Sequence, residues 1–468
     1  MCVYSGVYVV CKFGKRLGYL VAEVLTYREN KIGGCVTIIT AEVAGKTHRI
    51  MIDYGSSLDG RDTKEDFKDL WENNPPEAVF FTHYHGDHVG RLMEIPEDVP
   101  IYMGDTARKV MINIQEALVK IPDETESEIH KQELELLMND NRVKTFRWNG
   151  KFYDHIELPG FRIEPYSVDH SAYDAYMFLV EAADDSKPNG KKVILHTGDF
   201  RGHGRRGNRT LDVMKYYVHK NNRKVDVLVS EGTMMSRLTE KVMSEPEMQV
   251  EAYKYLKQHK YAFLICSSTN LDSLASFYQA AQSAAVPYGR YLYTYNSYFE
   301  KQLRTFSETA GSFSDVYQFH NVHKLDLEKE LKTDRWTKTQ KELMEYTGFL
   351  AVIKLEEWCE KYIDAFVEDY KAGIIDEMPV LIYSMWDGYV KPDHKAKKQE
   401  WIDFLAKQKS KGVEIKHLHT SGHATAGMIK DMIIAIDPQE EIVPIHTECK
   451  EAFGDLDIGE ELKKKIVL

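Results

Sequence analysis

The chain has 468 residues and a formal net charge of -12, and 43% of its residues are hydrophobic while 29% are charged. This length accommodates two or three domains with a deep cleft, and the composition is typical of a soluble globular protein rather than a disordered one. The acidic balance argues against binding to nucleic acid through overall charge, so a polyanion would have to meet a local basic patch.

The cysteine pattern and the apolar segments indicate the cellular compartment. The six cysteines lie far apart and form no CxxC pair, which favours reduced thiols over a disulfide framework. The first ten residues lack a basic leader and a cleavage site, and no stretch approaches the roughly 20 apolar residues of a membrane span. The sequence therefore predicts a cytoplasmic protein that does not bind a membrane.

Residues 1–239 are predicted to form one strand-rich domain with flanking helices. The β-branched runs at 35–39 and 49–52, separated by Ala44-Gly45-Lys46, predict two strands joined by a turn. Further strands are predicted directly before His83 and over residues 162–168, 175–180 and 192–195. Helices are predicted around residues 64–71 and across the charged stretch 106–138.

Residues 240–400 alternate between helical and strand patterns, which predicts parallel βαβ units and a separate α/β domain. The clearest helices are predicted over 247–258 and 271–284, and the clearest strands over 261–266 and 380–384. After residue 400, strands that end in histidine resume. We therefore expect residues 401–468 to complete the first domain, with the α/β domain inserted into it.

The most informative motif is His83-Tyr84-His85-Gly86-Asp87-His88, which directly follows the apolar run Ala78-Val79-Phe80-Phe81. Imidazole nitrogen and carboxylate oxygen are the ligands that zinc prefers, and the spacing of His83 and His85 places both rings on one side of an extended chain. Taken alone, the motif also fits a histidine-rich surface loop or hydrogen-bonded core histidines.

Four later segments share one pattern, an apolar strand that ends in a metal-binding type of side chain. A single strand-end histidine is more often a hydrogen-bonded core or surface residue. Together with the first motif, however, the four segments could furnish two metal sites. They are Val168-Asp169-His170, Leu195-His196-Thr197-Gly198-Asp199, Ser421-Gly422-His423 and Pro444-Ile445-His446.

The chain resembles a known family in the order of these motifs. Asp53, His83-x-His85-x-Asp87-His88, His170 and Asp199 resemble the metallo-β-lactamase fold. Ser230-Glu231-Gly232-Thr233, Ser421-Gly422-His423-Ala424 and Pro444-Ile445-His446-Thr447-Glu448 resemble the extra motifs of its β-CASP branch. That branch comprises nucleic-acid-cutting enzymes such as ribonuclease J and the mRNA 3′-end processing endonuclease. The resemblance implies an α/β protein, an αββα sandwich with an inserted parallel-sheet β-CASP domain.

The resemblance also implies a role for each motif residue. Two zinc ions per chain would be bound, with manganese or iron as substitutes when supply favours them. His83, His85 and His170 would hold one ion, Asp87, His88 and His446 would hold the other, and Asp199 would bridge them. Asp87 and three further residues are expected to be catalytic. Asp53 would fix a ligand or a water, Glu231 would support a histidine or a water, and His423 would donate a proton or hydrogen bond to the attacked phosphate.

The implied substrate is single-stranded RNA, hydrolysed at its phosphodiester bonds through a hydroxide shared by the two ions. His446 at the last motif is typical of the RNA-processing members. Arg201, Arg205 and Arg206 lie in a glycine-broken loop and are expected to contact phosphate, although a solvated loop or an ion-pair patch is the alternative. His419 and Ser421 are further expected phosphate contacts.

Other functions stay open at this level. The motif from His83 to His88 alone also fits a hydrolase of a small ester, thioester or nucleotide. A DNA nuclease is a further alternative. A binding or regulatory protein with a degenerate site is a third class, although every expected ligand type is present. If His419 and Ser421 hold a terminal phosphate, as similar family segments do, exonuclease action from a 5′ monophosphate end would be favoured, but the balance of exonuclease and endonuclease action stays open. The sequence also leaves a homodimer open.

Overall fold

The computed structural model describes residues 21–468 except 29, 59, 61, 64–66, 140, 148–149, 151–152, 311–313, 321 and 327–336. Residues 1–10, for which the sequence predicts no leader, lie outside the described residues. The beginning of the helix predicted around residues 64–71 also lies outside them. The described chain forms two compact units. The first unit contains the chain up to Lys241 together with Gly422–Leu468, and the second unit is Val242–Ser421.

Strands and helices alternate through most of the described chain. The strands are β1 (Glu23–Tyr27), β2 (Val36–Val43), β3 (Lys46–Tyr54), β4 (Val79–Phe80), β5 (Ile101–Met103), β6 (Val143–Thr145), β7 (Ile156–Leu158), β8 (Phe161–Val168), β9 (Ala175–Ala183), β10 (Lys191–His196), β11 (Val227–Glu231), β12 (Tyr261–Cys266), β13 (Tyr291–Thr294), β14 (Val322–Lys324), β15 (Phe349–Ile353), β16 (Val380–Ser384), β17 (Glu414–His417) and β18 (Glu441–Ile445). The α-helices are α1 (Lys68–Glu72), α2 (Gly86–Val89), α3 (Asp105–Leu118), α4 (Glu124–Met138), α5 (Thr210–Val213), α6 (Glu245–Leu256), α7 (Leu271–Ala284), α8 (Ser297–Thr309), α9 (Ser314–Tyr317), α10 (Lys338–Thr347), α11 (Glu357–Lys371), α12 (Gln399–Ser410), α13 (Ala426–Ile436) and α14 (Glu460–Lys463).

The first unit contains two mixed sheets of six strands each. One has the order β1-β2-β3-β4-β5-β6, and the other has the order β18-β11-β10-β9-β8-β7. In the first sheet, β1 to β3 are antiparallel and β3 to β6 are parallel. In the second sheet, β7 to β10 are antiparallel, while β10, β11 and β18 are parallel. The late strand β18 therefore completes a sheet that begins near residue 156.

One apolar core lies between these two sheets. It combines Ile52 and Phe80 of the first sheet with Phe178 and Val229 of the second. Because adjacent residues of a strand point to opposite faces, Met177 lies in a different core, on the other face of the second sheet. Helix α13 packs against that face through its apolar residues. This layering is an α/β fold with mixed sheets, consistent with the metallo-β-lactamase fold.

Two elements of the first unit show how the sequence determines the chain path. The turn predicted at residues 44–46 joins β2 to β3, and both Ala44 and Gly45 have positive φ, as a tight hairpin turn needs. The helical stretch predicted over 106–138 is two helices, α3 and α4. Pro122 cannot continue a helix, and Asp123 caps α4 by accepting from the N–H groups of Thr125 and Glu126.

The second unit contains a parallel sheet of order β14-β13-β15-β12-β16-β17. The predicted strand 261–266 and helix 271–284 coincide with β12 and α7. Residues after 400 were expected in the first domain, whereas β17 pairs with β16, so the two units divide after Ser421. None of the helices in the described part of the chain has the length and apolar character that a bilayer crossing needs.

Candidate metal centre

The loop that follows β4 is held tightly against the end of β3. Its second half forms the short helix α2, and backbone hydrogen bonds join Cys35 N to Asp87 O (3.2 Å) and Ser56 N to Gly86 O (3.0 Å). A side chain at Gly55 would place its Cβ 1.7 Å from Asp87 O, so only glycine admits this approach. Gly55 therefore permits the close approach in which backbone hydrogen bonds fix the position of the loop.

Three imidazoles, those of His83, His85 and His170, converge in the first unit. Each offers one nitrogen, and the three nitrogens lie within 4.8 Å of one another. His83 Nδ1 lies 3.0 Å from Thr82 Oγ1, and His170 Nδ1 donates to Gly422 O at 2.7 Å. These contacts assign the ring proton of both histidines to Nδ1. Nε2 of His83 has no hydrogen-bond partner within the described residues, and Nε2 of His170 lies 3.3 Å from His85 Nδ1.

Burial favours the neutral form of these three rings. It lowers the pKa of His83 and of His170 well below the usual range, and it lowers the pKa of His85 to about 4. Neutral imidazole is the form that binds a metal ion. At pH 7 the three rings are therefore ready to bind an ion without first losing protons.

Asp87, His88 and His446 form a second group of candidate ligands. His446 Nε2 lies 3.0 Å from Asp87 Oδ2, and His88 Nε2 lies 3.9 Å from the same oxygen. Burial lowers the pKa of both histidines, but the Asp199 carboxylate and other neighbouring groups raise it more, so that the net shift is upward. The carboxylates therefore favour positive charge at this position, whether from protons or from a metal ion.

The carboxylate of Asp199 lies between the two groups. Its Oδ2 is 3.2 Å from His88 Nε2 and 4.0 Å from His170 Nε2, and its Oδ1 is 3.8 Å from His446 Nδ1. Burial raises the pKa of this carboxyl, but His446, His88 and His423 lower it more, so the net shift is downward. An ionised carboxylate that faces both groups is suited to bind two metal ions at once, as a ligand that they share.

Asp199 reaches this position through a turn after β10. Gly198 has φ of +54°, and a Cβ there would lie 2.7 Å from the Tyr176 carbonyl oxygen, so glycine is required. The buried His196 accepts from Gly198 N at 3.1 Å and contacts Thr37 Oγ1 at 3.2 Å. His196 is therefore a structural residue that shapes the turn.

The donor atoms fit divalent metal ions. In the part of the chain that the structure describes, Nε2 of His83, Nε2 of His88 and Oδ2 of Asp199 are buried and make no aligned hydrogen bond, although the last two atoms lie 3.2 Å apart. Buried polar atoms of this kind are costly unless they have a partner or coordinate a metal. The combination of imidazole and carboxylate fits zinc.

Asp53 and Thr82 each contact one candidate ligand at Nδ1, the ring nitrogen opposite Nε2. Asp53 contacts His88, and Thr82 contacts His83. Asp53 Oδ2 accepts from His88 Nδ1 at 2.8 Å, and Asp53 Oδ1 accepts from Thr82 N at 2.8 Å. Thr82 Oγ1 lies 2.8 Å from Asp53 Oδ2 and 3.0 Å from His83 Nδ1. The carboxylate and the hydroxyl thereby set the ring orientation and the tautomer of both histidines.

Asp53→Asn is expected to weaken zinc binding by about 10- to 100-fold, the usual effect of removing an outer partner of a metal-binding histidine. The amide retains the shape of the side chain but not the charge that Asp53 presents to His88 Nδ1. A titration against a competing chelator measures the affinity. Asp184→Asn is the control, because Asp184 is also buried and accepts a backbone N–H, from Ala22. Equal zinc affinity of the two variants would contradict this role of Asp53.

Thr233 positions two further histidines. Its hydroxyl lies 2.7 Å from His446 Nδ1 and 3.1 Å from His423 Nδ1, and it donates to His446 O at 3.3 Å. Because the hydroxyl has only one proton to donate, both rings are assigned as donors at Nδ1. This assignment leaves Nε2 of His446 for Asp87 or a metal ion.

Glu231 is fully buried at the end of β11 and joins two segments of the site. Its Oε1 accepts from Ala424 N at 3.0 Å, and its Oε2 accepts from Thr233 N at 3.0 Å. His423 Nδ1 lies 3.6 Å from Glu231 Oε2 and 3.4 Å from Asp199 Oδ2. The His423 side chain is 23% exposed, so it remains accessible beside the buried ligands.

The arginines that the sequence suggests as phosphate contacts differ in their surroundings. Arg201 is fully buried and its Nε lies 3.4 Å from Asp169 Oδ1, so we withdraw it as a phosphate contact. Arg205 and Arg206 are half-buried. Arg206 donates to Tyr173 O at 2.7 Å and lies over the Tyr173 ring at 4.6 Å. The sequence could not reveal Arg201's burial, because its partner Asp169 is 32 residues away.

The structure brings the predicted ligands and their predicted supports together in the first unit. They are Asp53, His83, His85, Asp87, His88, His170, Asp199, Glu231, His423 and His446. His419 and Ser421 belong to the second unit, and their contact with phosphate stays a prediction. Sequence reasoning missed Thr82 and Thr233, although the position of Thr82 beside His83 and the place of Thr233 in the Ser-Glu-Gly-Thr motif were available signals.

Comparison with known proteins gives one family match and several structural likenesses. Residues 36–119 match the profile of the Metallo-beta-lactamase superfamily, and this segment contains Asp53 and the complete loop from His83 to His88. No curated protein sequence matches the chain. A crystallised protein of unknown function from Enterococcus faecalis V583 shares the fold, with 18% identity and a TM-score of 0.63 over 96% of this chain and 98% of that protein.

Two metallo-beta-lactamases align with smaller parts of the chain. BJP-1, a subclass B3 enzyme of Bradyrhizobium japonicum, is 14% identical over 45% of this chain and 74% of its own, with a TM-score of 0.29. The class B3 di-zinc enzyme LRA-12 from an Alaskan soil metagenome is 16% identical over 43% of this chain and 74% of its own, with a TM-score of 0.28. From the profile match, we conclude that the chain contains a metallo-beta-lactamase superfamily domain, a superfamily of generally hydrolytic metalloenzymes.

Proposed function

We propose that the chain is a β-CASP-type ribonuclease that binds two zinc ions and hydrolyses phosphodiester bonds of single-stranded RNA. The observation that carries the proposal is the accessible His423, whose Nδ1 lies beside Asp199 and Thr233 at the edge of the buried ligands. The ligand set itself suits many hydrolases. A histidine held next to that set, but not needed to complete it, suits a reaction in which a charged leaving group must be stabilised.

The ions, when bound, activate a water for attack and offset the charge of the phosphate. The side chains described above supply positioning and proton transfer. Asp53 holds His88, and Thr82 holds His83. Glu231 holds Thr233, because its Oε2 accepts from Thr233 N at 3.0 Å. Thr233 and Asp199 hold the N–H at His423 Nδ1, so a ring that also carries a proton on Nε2 can give that second proton to the leaving oxygen and return to the neutral form.

The position of the second unit in the chain supports the nuclease over a small-molecule hydrolase. Its parallel sheet is inserted between Asp199 and His423, as the resemblance to the β-CASP branch implies. The half-buried arginines Arg205 and Arg206 follow Asp199 within seven residues, and their positive charge favours a polyanionic substrate. A fold hosts many reactions, however, so the substrate has to be tested directly.

The test uses purified full-length protein with a 5′-labelled RNA oligomer, the matching DNA oligomer and a generic thioester. Each substrate is incubated with and without a chelator. We expect cleavage of the RNA that the chelator abolishes and that added zinc restores. Cleavage of the thioester alone would replace the proposal with a small-molecule hydrolase, and preference for DNA would change the substrate class.

In the same assay, His423→Ala is expected to retain its metal and to lose about 100- to 10,000-fold in turnover, the usual contribution of a positioned acid or base. His417→Ala is the control, because the His417 side chain is 43% exposed and belongs to the second unit. Metal content is measured by elemental analysis and turnover by product formation. Loss of metal from His423→Ala would make His423 a ligand, and unchanged turnover would remove it from the reaction.

A further inference from the structure

A cysteine that the expected ligand set does not include lies beside the candidate metal centre. Cys35 directly precedes β2, and its side chain is buried, with 6% of the residue exposed. Its backbone makes two hydrogen bonds. Cys35 N donates to Asp87 O at 3.2 Å, in the loop that follows β4, and Cys35 O accepts from Gly55 N at 3.1 Å. The cysteine is therefore held in a fixed position relative to Asp87 and His88.

The Cys35 sulfur forms a compact group with two histidines. Sγ of Cys35 and one nitrogen each of His88 and His446 lie within 4.8 Å of one another, and all three residues are buried. The far nitrogens of both rings are already engaged, His88 Nδ1 with Asp53 and His446 Nδ1 with Thr233. The remaining Nε2 of His88 is buried 3.2 Å from Asp199 Oδ2, and it makes no aligned hydrogen bond within the described ranges.

We propose that Cys35 is a metal ligand, which binds a zinc ion through its sulfur together with His88 and His446. Thiolate and imidazole form a common zinc donor set. Asp87 Oδ2 lies 3.0 Å from His446 Nε2, so a carboxylate oxygen adjoins one member of this group. The two positions of the centre thereby differ in chemistry: one has three imidazoles, and the other has sulfur, imidazole and carboxylate donors.

This difference has a consequence for metal selection. A soft thiolate selects for zinc, whereas imidazole also suits iron, copper and nickel. We therefore expect the position that includes Cys35 to discriminate more strongly for zinc than the position of the three histidines. The inference rests on the metal centre of the proposed function and is independent of the substrate.

The test is X-ray absorption at the zinc edge of full-length protein loaded with zinc. With two ions bound, we expect one sulfur neighbour per two zinc atoms, at the Zn–S distance of about 2.3 Å that proteins show. Cys35→Ser should lose the sulfur signal. Cys266→Ser is the matched control, because Cys266 is equally buried, with 7% exposed, but belongs to the second unit.

A cobalt-loaded sample gives an independent measurement. Wild-type protein and Cys266→Ser should show a thiolate-to-cobalt charge-transfer band that Cys35→Ser lacks. A full load of zinc without a sulfur neighbour would overturn the Cys35 proposal while leaving the metal centre and the proposed function intact. A sulfur signal that persists in Cys35→Ser would also overturn it. Protein that takes up no metal would overturn both proposals.

Discussion

His83→Ala is expected to lower the metal affinity of the three-histidine position at least about 100-fold, because removal of even an outer partner costs 10- to 100-fold. Hydrolytic activity should fall to background at the same time. The His83 ring is 2% exposed, and its Nε2 has no hydrogen-bond partner within the part of the chain that the structure describes. Alanine removes this donor and leaves His85 and His170 as an incomplete set.

Isothermal titration with zinc and elemental analysis after dialysis give the stoichiometry of His83→Ala. His155→Ala is the control, because the His155 side chain is 43% exposed and pairs only with Glu157 at the surface among the contacts described. We expect the control to bind as much zinc as the wild type. If His83→Ala did so too, with unchanged affinity, the three-histidine position would not be a metal site.

Arg201→Ala is expected to destabilise the first unit by about 3 to 5 kcal/mol, the typical effect of removing one partner from a buried ion pair. Arg201 and Asp169 are both 0% exposed in their side chains, and Nε lies 3.4 Å from Oδ1. Without the guanidinium, the Asp169 carboxylate would lose its charge partner in the interior. Asp169 directly precedes His170, so the effect is expected to reach the metal centre.

Urea denaturation followed by the fluorescence of the tryptophans measures this loss. Lys191→Ala is the control, because Lys191 pairs with Glu181 at the surface, with its own side chain 44% exposed. An exposed pair contributes less than about 1 kcal/mol. If Arg201→Ala retained wild-type stability and instead weakened RNA binding, Arg201 would be the phosphate contact that the sequence first suggested.

The ligand positions could be inferred from the sequence because they follow a repeated local rule. His83, Asp199, Glu231 and His446 lie at or just beyond the ends of β4, β10, β11 and β18, each after an apolar strand. An apolar run followed by a polar residue is visible in one dimension. Parallel strands then place their ends at the same edge of a sheet, so local pattern and three-dimensional position agree.

The features that could not be inferred depend on contacts between distant residues. Cys35 precedes a strand, and only the pairing of β2 with β3 and the bond from its backbone N–H to Asp87 O bring it to the ligands. The burial of Arg201 likewise depends on the path of the glycine-rich loop around Asp169, where a Cβ at Gly204 would lie 2.3 Å from the carboxylate. Neither contact has a spacing that a motif could reveal.

The division of the chain after Ser421 also could not be inferred from local sequence patterns. The sequence assigned residues 401–468 to the closing part of the first domain, because histidines reappear there. Histidine content does not determine strand pairing, and β17 joins the parallel sheet of the second unit through β16. The apolar residues of α12 and β17, such as Phe404 and Ile415, belong to the core of that sheet.

The distance in sequence between Asp87 and His446 sets an order of events during translation. The two residues are 359 positions apart, so at 5–20 residues per second the ribosome adds His446 roughly 20 to 70 s after Asp87. His83, His85 and His170 are synthesised well before then. A nascent polypeptide can therefore capture its first cation early, whereas the neighbouring cation has to wait until synthesis is almost finished.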